Sequence, residues 1–133
     1  MYYKNNKAFG FSLIELLITL SIIGILSGIA YPSYLNHLYK VRRIDGQIAL
    51  LTLAFHLQQY YAEHQEYFGA TLEGFKLSSL SLKQYYTVSI SELKAHSYML
   101  TATPTGSQFS DKCEKLTLNN TNEKGPRLEC WQF

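Results

Sequence analysis

The sequence predicts an α+β fold, in which one long N-terminal helix packs on a small antiparallel sheet of three to four strands. Residues 11–31 form an almost uninterrupted apolar run, and apolar residues then recur at steps of three and four as far as residue 65. Beyond residue 85, short segments rich in Tyr, Thr and Val alternate with polar neighbours. These are the periods of a helix and of strands. A chain of 133 residues allows one modest domain beside the apolar helix.

The apolar run contains a single charged side chain, Glu15. At a rise of about 1.5 Å per residue, the run forms a helix roughly 31 Å long, which can span the hydrocarbon of a bilayer. A carboxylate at the centre of such a helix costs on the order of 2.5–3.5 kcal/mol, so it requires a partner. The run offers none. The alternative is a plain membrane anchor, in which Glu15 lies near the helix end and reaches water.

The helical spacing continues beyond Pro32, which lacks an N–H and is expected to kink the helix. We predict one kinked helix from about residue 11 to about residue 65. Two apolar rows follow it: Leu35, Leu38, Val41, Ile44, Ile48, Leu51 and Phe55 in the first, and Leu50, Leu53, Leu57 and Tyr61 in the second. A helix with two apolar faces must be covered on both. The sheet would cover one face, and the other needs a different partner.

Strand signals follow a connecting segment at residues 66–84. Residues 85–90, 98–103 and 116–118 are predicted strands, and Pro104 and Gly106 mark a turn. Residues 119–126 are a turn-rich loop, and residues 127–131 are a possible fourth strand. Successive strands with short connections favour an antiparallel meander.

The two cysteines, Cys113 and Cys130, are predicted to form one disulfide. An N-terminal membrane-targeting segment places the rest of the chain outside the cytoplasm, where disulfides persist. An even cysteine count in an exported domain then argues for a bridge. Two cysteines with scattered histidines do not provide zinc-ligand spacing.

A short basic leader that ends at Gly10 precedes the apolar run, and Glu15 is the fifth residue after that glycine. This leader and the sequence FSLIELLITLSIIGILSGIAYPSY resemble the N-terminus of type IV pilins, most closely a small minor pilin of the PilE type. The resemblance covers residues 4–34. An ATPTGSQFSDKC segment and the terminal Cys130-Trp131 extend it less rigorously.

The resemblance implies a division into a leader (1–10), a transmembrane and assembly helix (11–31) and a periplasmic head (32–133). The head would comprise an amphipathic helix (32–65), a connecting loop (66–84), and the sheet with its disulfide loop (85–133). A prepilin peptidase would cut between Gly10 and Phe11 and methylate the new amino terminus of Phe11. Glu15 would then set the register of assembly. Three residues, Gly24, Gly28 and Pro32, would form a weak stretch that can lose helical structure in a filament.

The implied partners are other pilin subunits, prepilin peptidase, the pilus assembly machinery of the bacterial inner membrane, and inner-membrane lipids before assembly. The mature subunit would lie in a cell-surface pilus that serves motility, adhesion or DNA uptake. Two alternatives remain open. One is a pseudopilin of a type II secretion system. The other is a signal peptide cleaved after Ala30 in Gly28-Ile29-Ala30, which would release a soluble periplasmic binding domain.

Charge and motif patterns disfavour other functions. Without residues 1–10 the chain has ten basic and ten acidic residues, so no nucleic-acid partner is predicted from charge. The one dense basic spot, Lys40 with Arg42 and Arg43, is interpreted as a cluster beside the membrane, and Asp111 as a turn-capping carboxylate. There is no phosphate-binding glycine loop, nucleophile elbow or histidine metal clamp, so we expect no enzyme, no metal and no cofactor.

Overall fold

The computed structural model describes residues 10–131. Helix α1 runs Leu13–His64 and is followed by four strands: β1 Tyr86–Leu93, β2 Tyr98–Pro104, β3 Leu116–Asn119 and β4 Lys124–Gly125. Two short 3-10 helices lie at Gly106–Ser110 and Leu128–Trp131. The described residues form two compact units, divided between Leu35 and Asn36. The α+β class is confirmed, whereas the predicted leader lies outside the described residues except for Gly10.

The first unit contains the apolar half of α1. Ser12 caps the helix, because its Oγ accepts a hydrogen bond of 3.2 Å from the backbone N–H of Glu15. The hydroxyls of Thr19 and Ser21 donate to carbonyls four residues earlier, at 2.7 and 2.8 Å, so these polar groups are satisfied within the helix itself. By length and hydropathy this helix could cross a membrane. The helix assignment continues without a break through Pro32.

The sheet is an antiparallel meander in the order β1-β2-β3-β4, as predicted. Val88 of β1 is paired with Ala102 of β2, and Leu100 of β2 is paired with Leu118 of β3. A bulge between Ile90 and Glu92 interrupts the β1–β2 register, and β1 continues past it to Leu93.

The predicted fourth strand at residues 127–131 is wrong. The sequence there forms the second 3-10 helix, and β4 lies instead at Lys124–Gly125, inside the segment predicted as a loop. Pro126 explains the difference, because it has no N–H to donate to a ladder and β4 therefore ends before it. The chain then turns so that Cys130 reaches Cys113.

The core of the second unit lies between α1 and one face of the sheet. The helix contributes the second predicted apolar row, and the sheet contributes the alternate side chains of its first three strands. The fully or almost fully buried members are Leu50, Leu53, Leu57, Tyr86, Val88, Leu100, Ala102, Leu116 and Leu118. The ring of Tyr86 lies directly against Gly46, where a Cβ would be 2.8 Å from the ring. A glycine is therefore required at this point of the helix.

Candidate assembly and binding surfaces

The first predicted apolar row is not covered by the sheet. Within the second unit, four of its residues are exposed large hydrophobic side chains: Val41, Ile48, Leu51 and Phe55. A continuous apolar helix face in water marks a surface for another molecule. The row therefore fits the prediction that a partner other than the sheet covers this side of the helix.

The predicted processing and register residues lie at the start of α1. Gly10 and Phe11 precede the helix and are exposed, and Glu15 lies in its first turn. Among the described residues Glu15 forms no ion pair. A Cβ at Gly24 or Gly28 would meet no side chain and no other segment within 4 Å, so both glycines lie on an open helix surface.

A buried ion pair joins α1 to the segment before Cys113. Arg43 is 3% exposed and Asp111 is 2% exposed. Nε of Arg43 donates to Oδ2 of Asp111 at 2.6 Å, and a terminal guanidinium nitrogen donates to Oδ1 at 2.5 Å. The hydrogen bonds to Asp111 raise the pKa of Arg43 further above its usual value. The interpretation of Arg43 as part of a surface cluster is therefore wrong, and Asp111 is more than a turn cap.

Gln108 extends this polar network, and Gln47 forms a separate contact with the disulfide loop. The Nε2 of Gln108 donates to Oδ2 of Asp111 at 2.9 Å and to the hydroxyl of Tyr86 at 3.1 Å. Burial raises the pKa of Tyr86 to about 12, so its hydroxyl stays protonated in this network at neutral pH. The Nε2 of Gln47 donates to the carbonyl of Cys130 at 3.0 Å. The backbone N–H of Cys113 donates to Oδ1 of Asp111 at 3.2 Å, so Arg43 through Asp111, and Gln47 separately, connect the two ends of the disulfide loop to α1.

The predicted disulfide is confirmed between Cys113 and Cys130, whose Cα atoms are 5.9 Å apart. The closed loop contains β3, β4 and the start of the second 3-10 helix. The disulfide and the hydrogen bonds from Asp111 and Gln47 therefore stabilise the same segment of the head, residues 113–130.

A second buried carboxylate, Asp45, fixes the turn that precedes β1. Its oxygens accept hydrogen bonds from the hydroxyl of Ser81 at 2.5 Å and from the backbone N–H of Lys83 at 3.0 Å and of Tyr85 at 3.3 Å. Sequence reasoning missed Asp45 and Gln47 and assigned Arg43 to the surface. Arg43 and Gln47 lie seven and three residues before Leu50, which is the spacing of the core-facing stripe and could have revealed them.

The outer face of the sheet is rich in hydroxyl groups. We name the hydroxyl face after its five members, Thr87, Ser89, Thr101, Thr103 and Thr117, which alternate with buried residues and form two adjacent rows across the strands. Lys115 is exposed and immediately precedes β3, where it continues the alternation of Thr117. Among the described strand residues, these two rows contain no carboxylate.

Burial changes the balance of charge at the surface of the head. Residues 32–133 include ten basic and nine acidic side chains. Arg43, Asp45 and Asp111 are buried, which leaves nine basic and seven acidic side chains at the surface. The surface of the head is therefore weakly positive, although residues 11–133 contain equal numbers of basic and acidic side chains. Over residues 10–131 no group of three potential metal ligands comes together.

Comparisons with known proteins identify the class. A model of the prokaryotic N-terminal methylation motif matches residues 5–31. Together with the long helix, the meander and the disulfide loop, this match defines a type IV pilin. A second model, described as "Type IV minor pilin ComP, DNA uptake sequence receptor", matches residues 32–117. The chain belongs to this family of type IV minor pilins.

Individual relatives agree with the family. The chain is 28% identical over 127 residues to a fimbrial protein of Neisseria meningitidis serogroup A / serotype 4A, covering 96% of this chain and 67% of the relative. It is also 28% identical over 116 residues to the type IV major pilin protein PilE of Neisseria gonorrhoeae, covering 86% and 68%.

Solved structures show the same fold. The non-core minor pilin PilV of Neisseria meningitidis superposes with a TM-score of 0.57 at 21% identity, covering 68% of this chain and 87% of PilV. A type IV pilin from Shewanella oneidensis superposes with a TM-score of 0.55 at 28% identity, covering 71% and 99%. The matches support a structural pilus subunit that assembles with other pilins, and they favour this role over a pseudopilin or a soluble binding domain.

Proposed function

We propose that this chain is a minor pilin that binds DNA at the surface of a type IV pilus and acts in DNA uptake. The observation that carries the proposal is the extent of the family match, which covers the helix of the head, β1 and β2. The methylation motif alone does not indicate a ligand. The family model of a DNA uptake sequence receptor, in contrast, matches residues 32–117 of the head. The proposal includes no enzymatic activity.

The hydroxyl face with Lys115 is the surface that we assign to DNA. Protein contacts to phosphate oxygens come largely from Lys and Arg side chains and from Ser and Thr hydroxyls. This face offers five hydroxyl groups and one ammonium, with no carboxylate in its two rows to repel phosphates. Because the head carries only a small positive excess, the expected binding involves few phosphates and weakens readily with salt.

The salt dependence of binding tests this assignment. We expect Lys115→Gln to lower the slope of log K against log salt by about 0.9, the value for one lost phosphate contact on duplex DNA. The measurement is fluorescence anisotropy of a labelled duplex with the full-length chain in detergent micelles, over a series of salt concentrations.

The matched control is Lys76→Gln, which removes an exposed lysine from the segment between α1 and β1. An unchanged slope in Lys115→Gln with a reduced slope in the control would move the DNA surface away from the hydroxyl face. If the unaltered chain does not bind duplex DNA at all, the receptor role is wrong.

For maturation, we propose that prepilin peptidase cuts between Gly10 and Phe11 and methylates Phe11. The subunit would stay in the bacterial inner membrane until the assembly machinery transfers it to the cell-surface pilus. The exposed position of both residues before the first turn of α1 supports access by a peptidase. The stretch from Gly24 to Pro32, helical in the isolated subunit, would lose helical structure in the filament. A filament map with unbroken helix there would contradict this.

Glu15 would determine the register of assembly. Cleavage creates a positively charged amine on Phe11, and methylation keeps that charge. We propose that Glu15 of an incoming subunit pairs with this amine on a subunit already in place, where burial strengthens the attraction. A wrong axial register would leave a buried charge without a partner, which costs several kcal/mol.

We therefore expect Glu15→Ala to reduce incorporation into filaments at least about tenfold, since each 1.4 kcal/mol corresponds to a factor of ten. Immunoblots of sheared filaments measure incorporation, and intact mass of the membrane-bound protein shows whether it still begins at methylated Phe11. Glu15→Asp keeps the charge and serves as the control. Normal incorporation of Glu15→Ala would contradict the register role.

A further inference from the structure

A small cavity lies between the end of α1 and the segment that follows this helix. Its volume is about 310 Å³, and its helix side is lined by His56, Gln59, Tyr60 and Glu63. The last three follow His56 by three, four and seven positions, so the four side chains share one face of the helix. The other wall comes from residues 69–75. All of these residues belong to the second unit, so the cavity is a feature of the head alone.

Aromatic rings form a large part of the lining of this cavity. The rings of Tyr60 and Phe75 are nearly perpendicular, at 74°, with their centroids 6.0 Å apart. The ring of His56 is stacked with that of Phe75 at a centroid distance of 5.5 Å. All three side chains are partly buried. Aromatic rings that meet at a steep angle are typical of the cages that bind organic cations.

Hydrogen bonds hold both aromatic walls in place. The backbone N–H groups of Gly74 and Phe75 donate to Oγ1 and to the carbonyl oxygen of Thr71, at 3.0 and 3.2 Å. On the helix side, the hydroxyl of Tyr60 donates to the carbonyl of Phe68 at 2.9 Å. The cavity is therefore preformed, and a ligand would not need to order a loose segment in order to bind.

The charge of the lining favours a cation. Glu63 contributes a carboxylate, and no Lys or Arg is among the described residues that line the cavity. The ion pairs between described residues do not include Glu63. The faces of aromatic rings carry partial negative charge, so Tyr60 and Phe75 also attract a cation. The carboxylate and the rings therefore favour the same kind of ligand.

We propose that this cavity binds a small organic ammonium ion, of the quaternary kind that choline carries. The cationic group lies against the rings of Tyr60 and Phe75, and the carboxylate of Glu63 balances its charge. A metal ion would need several oxygen or nitrogen ligands, which aromatic rings do not supply. The volume is near the lower limit of about 300 Å³ for ligand pockets, so the ligand is small. The proposal concerns the head alone and does not depend on DNA binding.

Comparison of choline with an uncharged analogue tests the proposal. The full-length chain is kept in maltoside micelles, which contain no ammonium group, and binding is measured by ligand-observed NMR titration. Titrations are made at about pH 8, because an imidazolium would repel a cation and imidazole groups are mostly neutral at that pH. We expect choline to bind about tenfold more tightly than 3,3-dimethylbutan-1-ol, in which carbon replaces the charged nitrogen. Equal affinities, or no binding of choline, would overturn the proposal.

Two variants locate the site. Glu63→Gln removes the carboxylate, and Phe75→Leu removes one ring but keeps an apolar side chain. We expect each to weaken choline binding at least about threefold. The matched controls are Glu66→Gln and Phe68→Leu, because both residues are exposed and lie outside the lining of the cavity.

The position of Glu63 keeps the test decisive. Its side chain is exposed, so Glu63→Gln gives an answer even if Phe75→Leu fails to fold. If Glu63→Gln weakens choline binding no more than Glu66→Gln does, the cavity is not the site and the proposal is wrong.

Glycerophosphocholine distinguishes the two sources of such a ligand, since a free amine and the headgroup of a choline phospholipid carry the same cation. Binding of both compounds with similar affinity would support a site that accepts the phospholipid headgroup. Binding of choline alone would support a site for the free amine.

Discussion

Replacing Arg43 by alanine is expected to lower the free energy of unfolding of the head by about 3–5 kcal/mol, the usual cost of removing one partner of a buried ion pair. The substitution leaves the carboxylate of Asp111 in a site that is 2% exposed. Its remaining donors are Gln108 and the backbone N–H of Cys113, at 2.9 and 3.2 Å. Neither carries a charge that could replace the guanidinium.

Arg42→Ala is the matched control, because it removes the neighbouring arginine. Arg42 is only partly buried, donates to Ser107 and lies over the ring of Tyr85 at 4.7 Å. We expect a loss of about 1 kcal/mol or less there. Urea unfolding of the full-length chain in detergent, followed by near-ultraviolet circular dichroism, measures both.

A second substitution separates lost charge compensation from lost packing. Asp111→Asn in the Arg43→Ala background removes the unpaired charge but keeps a polar side chain, so part of the stability should return. If Arg43→Ala costs no more than Arg42→Ala, or if the second substitution recovers nothing, the uncompensated charge is not the cause.

The sequence predicts the helix well and this ion pair not at all. The period of apolar residues is uninterrupted, so the predicted bounds of about 11 and 65 differ from the observed Leu13 and His64 by only one or two residues. Arg43 and Asp111 are 68 residues apart, and their pairing leaves no local pattern. Next to Lys40 and Arg42, the charge of Arg43 resembles part of an exposed cluster.

Candidate surfaces likewise differ in whether a local sequence pattern or a contact between distant residues creates them. Gly10, Phe11 and Glu15 form a local motif, so their positions can be predicted from the residues alone. The hydroxyl face depends on the register between strands, which brings Thr87, Thr101 and Thr117 into adjacent rows. The surface charge depends on which carboxylates are buried. Net charge therefore gave no indication of the DNA receptor that the family model describes.

Removing the disulfide by Cys113→Ser is expected to lower the free energy of unfolding by about 3 kcal/mol, the chain-entropy value for a loop of similar length. The two cysteines are 17 residues apart in sequence. Without the bridge, the unfolded chain gains the freedom that loop closure had removed. The hydrogen bond from Gln47 to the carbonyl of Cys130 remains, so the loop keeps a tether to α1. We therefore expect a less stable fold and not an unfolded chain.

We expect Cys130→Ser to lower the free energy of unfolding by a similar amount. The double variant should lower it little more than either single variant does, because all three remove the same bond. Urea midpoints of the oxidised chain and of its variants provide the comparison. Two additive losses would show that the thiols stabilise the head by packing and not by their bond.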